Sequence, residues 1–500
     1  MLKGGFKFSR IECRGISKSC VFSKHEVASA VYEGVDYDIV KTTRMTATPS
    51  ERPYYKKPLL LHEGRKQWLW DHEGRQYLDM FGGIVTVGVG HCHPKIVEAA
   101  TRQISKLGHT TAIYMHSQYH EYVAKLKKKL PERLNIVHLV NSGTEANELA
   151  FLIARLYTGA QEIISLQNCY HGSSLATQAA TAMPTMKHPI SPLPGFIHVM
   201  NPDVYRGLWG GSHCRDSPVL HRAITCECVG NKCIAADNYF HQMENTIKYS
   251  LPKSGKIAAF IAESIQGIGG VGQYPKTYLA KVYDFVRSRG GLCIADEVQT
   301  GFGRTGDHFW CFEDHNIQPD IVTLAKGIGN GFPMGAVITT SEIAEVLNSA
   351  IRVNTYGGNP VACAVGSAVL DVIEEERLQE NSKIVGTHLL KQLSTLILDY
   401  PAIVGDVRGK GLMIGVELIT NPETKEPMPR AQVLEIFEDI KNMGVLIGIG
   451  GLDGNIFRIK PPMCVTKENA DATVEVIKKA LDMYRSRCEE NKETVYFVAA

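Results

Sequence analysis

The most regular feature of the chain is a series of short apolar runs, rich in β-branched residues, that end in polar residues or glycines. Runs without polar–apolar alternation are typical of strands that are buried on both faces. A helix is predicted between two of them, over residues 277–288, with Gly290 as its stop signal. This order predicts an α/β fold with a parallel sheet. The predicted strands cover 136–140, 162–166, 258–263, 292–296 and 321–325.

The run 321–325 stops at Lys326, and glycines at 327, 329 and 331 then prevent regular structure. A lysine at the carboxyl end of a buried strand lies where open α/β sheets bind their ligands. Burial lowers the pKa of an ammonium group, and the neutral amine is a nucleophile that can form a Schiff base. The alternative is a solvated surface lysine, which is the commoner situation for a single lysine.

The two preceding strands end in carboxylates. Glu263 ends one strand, Asp296 ends the next, and Gln299 follows shortly after. Parallel strands that are joined by crossovers have their carboxyl ends on the same side of the sheet. We therefore expect Glu263, Asp296 and Lys326 to lie together at one edge.

A possible anion site follows the strand 136–140, where the turn Ser142-Gly143-Thr144 opens a helix. Free N–H groups at a helix start can bind an anion, although ordinary helix capping is the alternative. The spacing matches neither a Walker loop nor a dinucleotide fingerprint, so a smaller phosphate ligand is predicted. Tyr170, after the next strand, could stack on a flat ring or could simply pack at the rim.

Composition narrows the class of protein. The 500 residues are 44% hydrophobic, which is enough for a large core and two domains. The net charge of +2 does not indicate a nucleic-acid partner, and no apolar run is long enough for a membrane span. The 13 cysteines lie mostly singly within apolar runs, which is typical of reduced thiols in an intracellular protein.

The first 24 residues have a different composition from the rest. Lysine and arginine alternate with serine and apolar residues, and Glu12 is the single acid. This composition is typical of a mitochondrial transit peptide and predicts a matrix location. An unspecialised basic tail is the alternative.

Two groups of residues carry side chains that can bind metals, but neither is predicted to form a metal site. His91 and His93 flank Cys92, but no second ligand pair is near, and the segment fits a loop before a helix over 95–107. Residues 183–254 are predicted to be a long irregular insertion. The C-x-C-x4-C spacing in this insertion is a poor zinc motif, so no metal is predicted. Its cysteines are Cys214, Cys226, Cys228 and Cys233.

Together these motifs resemble those of the class III aminotransferases, which are fold-type I pyridoxal-phosphate enzymes. The resemblance covers roughly residues 54–487 and implies a large domain with a mostly parallel seven-stranded sheet plus a smaller α+β domain. One departure is Ser264, where the family usually has proline. The motifs, in the family's order, are S-G-T-E-A-N, Y-H-G, E-x-x-Q-G, D-E-V-Q-T-G-F-G-R-T-G, A-K-G-I-G-N-G-F-P-M-G, T-Y-G-G-N-P and F-R-I-K-P-P.

The resemblance also implies a role for each candidate residue. Lys326 would hold pyridoxal 5′-phosphate covalently and move the proton at the substrate α-carbon, while Asp296 would keep the pyridine nitrogen protonated. Arg458 would bind the substrate carboxylate, and Glu263 would face that arginine. Thr355 would reach the phosphate of the neighbouring subunit, which implies a homodimer or a tetramer. The other cofactor contacts would come from Gly143, Thr144, Tyr170 and Gln299.

The implied reaction is ping-pong transamination of amino acids and 2-oxo acids, with L-alanine and glyoxylate as the expected pair. The alternatives are an ω-amino-acid transaminase acting on β-alanine, 4-aminobutyrate or ornithine, and a phospholyase acting on an amino-alcohol phosphate. An inactive interaction protein is a third alternative, against which the intact Lys326, Asp296 and Gln299 argue. The implied organisation is a transit peptide and flexible N-terminus (1–45), an N-terminal part of the small domain (46–110), a large cofactor-binding domain (111–361), the C-terminal small domain (362–488) and a tail (489–500).

Overall fold

The computed structural model describes residues 30–51, 53–219, 226–228 and 232–499, with side chains up to residue 490. The basic segment 1–24, on which the transit-peptide prediction rests, lies outside the described residues. The helices are α1 (Tyr37–Ala47), α2 (Gly82–Val85), α3 (Pro94–Lys106), α4 (Ser117–Lys127), α5 (Gly143–Thr158), α6 (Leu175–Ala180), α7 (Ile234–Ser250), α8 (Tyr278–Ser288), α9 (Ser341–Ala344), α10 (Pro360–Glu375), α11 (Leu378–Ser394), α12 (Leu396–Asp399), α13 (Arg430–Asn442) and α14 (Lys467–Ala499). The strands are β1 (Leu61–Arg65), β2 (Trp68–Asp71), β3 (Gln76–Asp79), β4 (Ile136–Val140), β5 (Ile163–Leu166), β6 (Phe196–Val199), β7 (Ala259–Glu263), β8 (Leu292–Asp296), β9 (Ile321–Leu324), β10 (Gly335–Thr339), β11 (Val404–Lys410), β12 (Met413–Asn421), β13 (Glu426–Pro427), β14 (Val445–Leu446), β15 (Gly448–Gly450) and β16 (Ile456–Ile459).

The largest sheet has seven strands in the order β4-β10-β9-β8-β7-β5-β6. Only β10 runs against its neighbours, and the other four pairs are parallel. Every residue of β7, β8 and β9 is buried, which explains their uninterrupted apolar sequences. The predicted mostly parallel seven-stranded sheet is confirmed.

Strand register brings the predicted site together. Glu263 pairs with Asp296 across β7 and β8, and Asp296 pairs with Thr323 across β8 and β9. Lys326 follows the end of β9 by two residues. All three side chains therefore belong to the carboxyl edge of the sheet.

The remaining strands form two smaller sheets. One has the order β1-β2-β3-β14, and its β14 runs parallel to β3, so a C-terminal strand completes an N-terminal sheet. The other has the order β11-β12-β16-β15, with β13 beside β12. These sheets, together with α11, α13 and α14, make up the smaller α/β part of the fold. No helix in the described ranges has the length and apolar character that crossing a membrane requires.

The structure corrects the prediction of an irregular insertion at 183–254. The segment contains β6, an edge strand of the large sheet, and the helix α7. The strand was missed because it is only four residues long, F-I-H-V. The helix was missed because small residues contribute to its buried stripe, which consists of Ala235, Ala236, Tyr239, Met243 and Ile247.

Candidate active site

A cavity of about 110 Å³ lies at the carboxyl edge of β7, β8 and β9. Its lining contains Lys326, Asp296 and Glu263, which the sequence placed on three different strand ends. The other lining residues are Gly143, Thr144, Asn147, Tyr170, His171, Gly172, Val298 and Gln299.

Lys326 has a positive φ of 51°, a backbone conformation that residues other than glycine rarely adopt. Its surroundings lower the pKa of the amine. Loss of hydration is the main cause, Asp296 and Glu263 oppose it, and Arg458 adds to it. A larger fraction of the Lys326 amine is therefore neutral near pH 7 than for an ordinary lysine, whose pKa is about 10.4.

Asp296 is held by hydrogen bonds on both oxygens. Its Oδ2 accepts from Asn147 Nδ2 at 2.9 Å and from His171 Nδ1 at 2.8 Å. Its Oδ1 accepts from the N–H of Val298 at 3.1 Å. These donors fix the plane of the carboxylate. Asp296 can therefore present a fixed negative charge to a protonated ring nitrogen.

Glu263 is also held by donors, and these come from the backbone. It accepts from the N–H of Tyr170 at 3.2 Å and from the N–H of Gly267 at 2.6 Å. Burial raises the pKa of Glu263, and the charge of His171 and the two hydrogen bonds act in the opposite direction. Among the described residues, no ion pair within 4.0 Å joins Glu263 to Arg458. The two groups interact electrostatically at longer range.

Arg458 lies on β16 with one part of its guanidinium unsatisfied. Nε donates to the carbonyl of Ile449 at 2.9 Å, and the guanidinium carbon lies 5.1 Å from the ring centroid of Phe81. Nη1 is buried and has no hydrogen-bond partner in the described part of the chain. Burial lowers the pKa of Arg458 to about 10, so the group stays positive near pH 7. A buried cation with a free donor is suited to binding an anion, because leaving that donor unpaired is costly.

Gln299 lines the cavity and has a partner that the sequence did not suggest. Its Oε1 accepts from Lys460 Nζ at 3.1 Å, and Lys460 also donates to the carbonyl of Gly267 at 3.3 Å. Burial lowers the pKa of Lys460 well below its usual range, and Arg458 adds to this effect. With its oxygen engaged, Gln299 has its amide N–H groups available to donate to a ligand oxygen.

The predicted anion site is the start of α5. Ser142 Oγ accepts from the N–H of Glu145 at 3.1 Å, while the N–H groups of Gly143 and Thr144 have no acceptor in the described chain. Gly172 approaches this turn so closely that a Cβ there would lie 2.7 Å from Thr144 Oγ1. Free N–H groups and the positive helix end together fit a phosphate.

Two other predicted residues occupy different positions. Tyr170 lines the cavity and is half-buried. Thr355 is exposed and is not part of the cavity lining. Within one chain, therefore, Thr355 does not complete the anion site.

Three residues of the site were not singled out from the sequence: Asn147, His171 and Lys460. All three lie within the motifs quoted above: Asn147 ends S-G-T-E-A-N, His171 is in Y-H-G, and Lys460 is in F-R-I-K-P-P. Those motifs were signals that could have found them. The residue type of Asn147 gave no further signal, because an asparagine on a buried helix face is usually structural.

Known proteins are similar to this chain over most of its length. Residues 50–481 match the family model described as aminotransferase class-III. The chain is 51% identical over 458 residues to human mitochondrial alanine–glyoxylate aminotransferase 2, covering 91% of this chain and 88% of the human protein. It is 45% identical over 447 residues to mitochondrial alanine–glyoxylate aminotransferase 2 homolog 2 from Arabidopsis thaliana, covering 89% of this chain and 88% of that protein.

Solved structures are similar over nearly their whole length. An (S)-enantioselective ω-transaminase from Thermomicrobium roseum has a TM-score of 0.79 and 32% identity, and the match covers 90% of this chain and 100% of that one. A phospholyase from Arthrobacter in complex with phosphoethanolamine has a TM-score of 0.79 and 30% identity, covering 89% of this chain and 99% of that one. The same architecture thus occurs in structures whose titles state different reactions.

Proposed function

The chain belongs to the class III aminotransferases, and on this premise we propose that it transfers the amino group of L-alanine to glyoxylate, giving pyruvate and glycine. As a member of this family it is a pyridoxal-phosphate-dependent enzyme that acts on small amino acids and oxo acids. The particular pair of substrates is supported by the 51% identity to the human enzyme of that name. The structural observation that carries the proposal is that Nη1 of Arg458 is buried and has no hydrogen-bond partner in the described chain. This nitrogen can donate a hydrogen bond to an α-carboxylate.

The residues around the cavity fit pyridoxal 5′-phosphate. Lys326 would hold it covalently, Asp296 would face the pyridine nitrogen, and Gln299 would donate to the phenolic oxygen. The phosphate would accept hydrogen bonds from the free N–H groups of Gly143 and Thr144. Tyr170 would stack on the ring. When bound, the cofactor acts as an electron sink that makes the α-proton of an amino acid removable.

The chain's own residues bind the substrate and transfer its proton. Arg458 Nη1 binds the α-carboxylate and thereby places the α-carbon beside Lys326. Once the amino group of alanine has displaced Lys326 from the cofactor, Lys326 Nζ would remove the proton from the α-carbon of alanine, and its lowered pKa favours the neutral amine that this needs. In the second half-reaction Lys326 returns a proton to the α-carbon of the forming glycine. Asn147 and His171 hold the carboxylate of Asp296 in place throughout.

Arg458 also separates the proposed reaction from its alternatives. An ω-amino acid carries its carboxylate farther from the reacting carbon, and phosphoethanolamine, the ligand of the Arthrobacter enzyme, has no carboxylate. Neither would place a carboxylate beside the reacting carbon, where Arg458 can bind it. The free donor therefore favours α-amino acids.

We further propose that the enzyme is a homodimer with sites shared between subunits. Segments 109–116 and 351–358 lie side by side, joined by a hydrogen bond of 3.0 Å from His116 Nε2 to the carbonyl of Gly358. They expose an apolar patch that a monomer would not be expected to leave uncovered. This patch, called the apolar patch below, consists of Ile113, Tyr114, Met115, Ile351, Val353 and Tyr356. Thr355 lies within the second segment and could reach a partner's phosphate.

A mitochondrial matrix location is proposed from two observations. The human and Arabidopsis relatives carry the word mitochondrial in their names. The first 24 residues of this chain have the basic, serine-rich composition of a transit peptide.

The experiment for the proposed reaction is a panel of amino donors, read out as keto acid formed. L-Alanine, β-alanine, 4-aminobutyrate, ornithine and phosphoethanolamine are each offered with glyoxylate and with pyruvate as acceptor. We expect the highest kcat/KM for alanine with glyoxylate and no turnover in Lys326→Ala. The surface variant Lys281→Ala is the matched control and should keep full activity, because Lys281 lies outside the cavity lining and its side chain pairs with Asp237 between α7 and α8. A preference for β-alanine, or phosphate release from phosphoethanolamine, would contradict the proposal.

A further inference from the structure

Several cysteine thiols meet in front of α7, outside the cavity. The Sγ atoms of Cys214 and Cys228 are 3.5 Å apart, and those of Cys228 and Cys233 are also 3.5 Å apart. All three sulfurs lie within 4.8 Å of one another. The thiol of Cys226 lies beside those of Cys214 and Cys228. Three of the sulfurs thus converge on one point, and the thiol of Cys226 lies next to two of them.

The spacing of these sulfurs fits a metal better than a disulfide. A disulfide needs an S–S distance of about 2.05 Å, and all four cysteines are free thiols in the structure. Four sulfurs that hold a zinc ion at about 2.3 Å in tetrahedral geometry lie about 3.8 Å from one another. The observed separations of 3.5 Å are close to that value.

We propose that Cys214, Cys226, Cys228 and Cys233 bind one Zn²⁺ ion in a closed, structural site. This reverses the expectation from the sequence, in which the C-x-C-x4-C spacing lacked a clear fourth ligand. The fourth ligand is Cys214, which lies twelve residues before Cys226 and is brought in by the fold. Four protein sulfurs leave no open position, so the ion has no role in the transamination. Binding releases the thiol protons to solvent, because the ligands are thiolates.

The zinc site would connect the loop around Cys214 to α7 in the larger part of the fold and to the smaller part of the fold. Cys233 is the residue from which α7 begins, and the carbonyl of Cys214 accepts from the N–H of Lys276 at 2.7 Å. The next residue, Arg215, is buried and donates through both terminal nitrogens to Asp406 on β11, at 2.7 Å each. A metal at Cys214 would therefore hold the loop that carries Arg215 against the smaller part of the molecule.

The test is the zinc content of the full chain, purified with a thiol reductant, washed with EDTA and desalted. Inductively coupled plasma mass spectrometry should find about one zinc per chain in the wild type. Cys228→Ser should retain less than a tenth of that amount. Cys488→Ser, a half-buried cysteine on α14, is the matched control and should retain all of it. Cofactor absorbance, measured in parallel, shows whether each variant is folded.

A second measurement on the wild type keeps the test valid if Cys228→Ser does not fold. Replacing zinc by Co²⁺ should give the thiolate-to-cobalt charge-transfer bands and strong visible bands of a tetrahedral sulfur site. Absence of zinc after incubation with ZnCl₂ under reducing conditions would overturn the proposal. So would detection of a disulfide among these four cysteines, by alkylation and mass spectrometry of freshly purified protein.

Discussion

At the scale of single residues, the site has an excess of buried basic groups. Burial lowers the pKa of Lys326, Arg458 and Lys460, which means that the charged form of each is incompletely compensated. Among the described residues that line the cavity, only Asp296 and Glu263 are carboxylates. An uncompensated buried charge is expensive, so anionic ligands would restore the balance. A phosphate at α5 and a carboxylate at Arg458 would supply such charges.

Arg458→Ala should reduce kcat/KM for alanine. The reduction should correspond to about 2–5 kcal/mol of lost binding free energy, the usual cost of removing one partner of a buried charged pair. The loss for β-alanine should be clearly smaller, because its carboxylate lies one carbon farther from the reacting centre. Steady-state kinetics with both donors measure the difference. Arg485→Ala is the control, since that arginine is exposed on α14, outside the cavity lining, and contacts Asp482 and the ring of Tyr400. Equal losses for both donors would show that Arg458 merely supports the fold.

At the scale of elements, the central strands could be predicted because their uninterrupted apolar runs reflect burial on both faces. Their polar ends then identified Glu263, Asp296 and Lys326. Contacts between distant elements could not be predicted in this way. Lys460, the residue after β16, reaches Gln299 from 161 positions away in the sequence, and no local pattern encodes that approach. The reversed strand β10 was also missed, because a short apolar run does not reveal its direction.

Ser264, which stands where the family usually has proline, makes a contact that proline could not make. Its hydroxyl donates to Glu297, which is buried and also accepts from the backbone N–H groups of Cys311 and Phe312. Burial raises the pKa of Glu297 to about 7 although these donors oppose the shift. Proline at position 264 would remove the hydroxyl donor. The serine thus ties the loop after β7 to the loop after β8.

Gly172→Ala should damage the turn that packs against the start of α5. Its φ of +136° disfavours any side chain, and a Cβ would lie 2.7 Å from the hydroxyl oxygens of Thr144 and Thr177. We expect weaker pyridoxal-phosphate binding in a titration and a free energy of unfolding lowered by more than about 1 kcal/mol. Gly159→Ala is the matched control, since its φ is +65° but a Cβ there meets nothing within 4 Å. It should lose about 1 kcal/mol and keep its cofactor affinity. Equal cofactor affinity in the two variants would refute the role of Gly172.

At the scale of the whole molecule, the question is what covers the apolar patch. Met115 and Ile351, in its two segments, are 102% and 96% exposed. Hydrophobic surface of this kind favours association, and two copies related by a two-fold axis would cover both patches at once. The proposed shared site depends on the same contact, because Thr355 lies between Val353 and Tyr356 of the patch.

The double variant Met115→Asp, Ile351→Asp should therefore be monomeric by light scattering and nearly inactive, because charges are costly to bury in an interface. Leu398→Asp, which alters an exposed leucine on α12, should remain dimeric and active. A wild-type chain that is a fully active monomer under assay conditions would contradict the dimer.

Shared sites can be tested separately by combining two impaired subunits. Thr355→Ala should weaken activity through the phosphate, and Lys326→Ala should abolish it. In a heterodimer of the two variants, one site combines both substitutions. The other site combines an intact Lys326 with an intact Thr355 from the opposite chain, so co-expression should restore activity above that of either variant alone. If Lys326 and Thr355 served the same site from one chain, every site in the heterodimer would carry one substitution. Activity would then stay at the level of the separate variants, and the proposal of shared sites would be wrong.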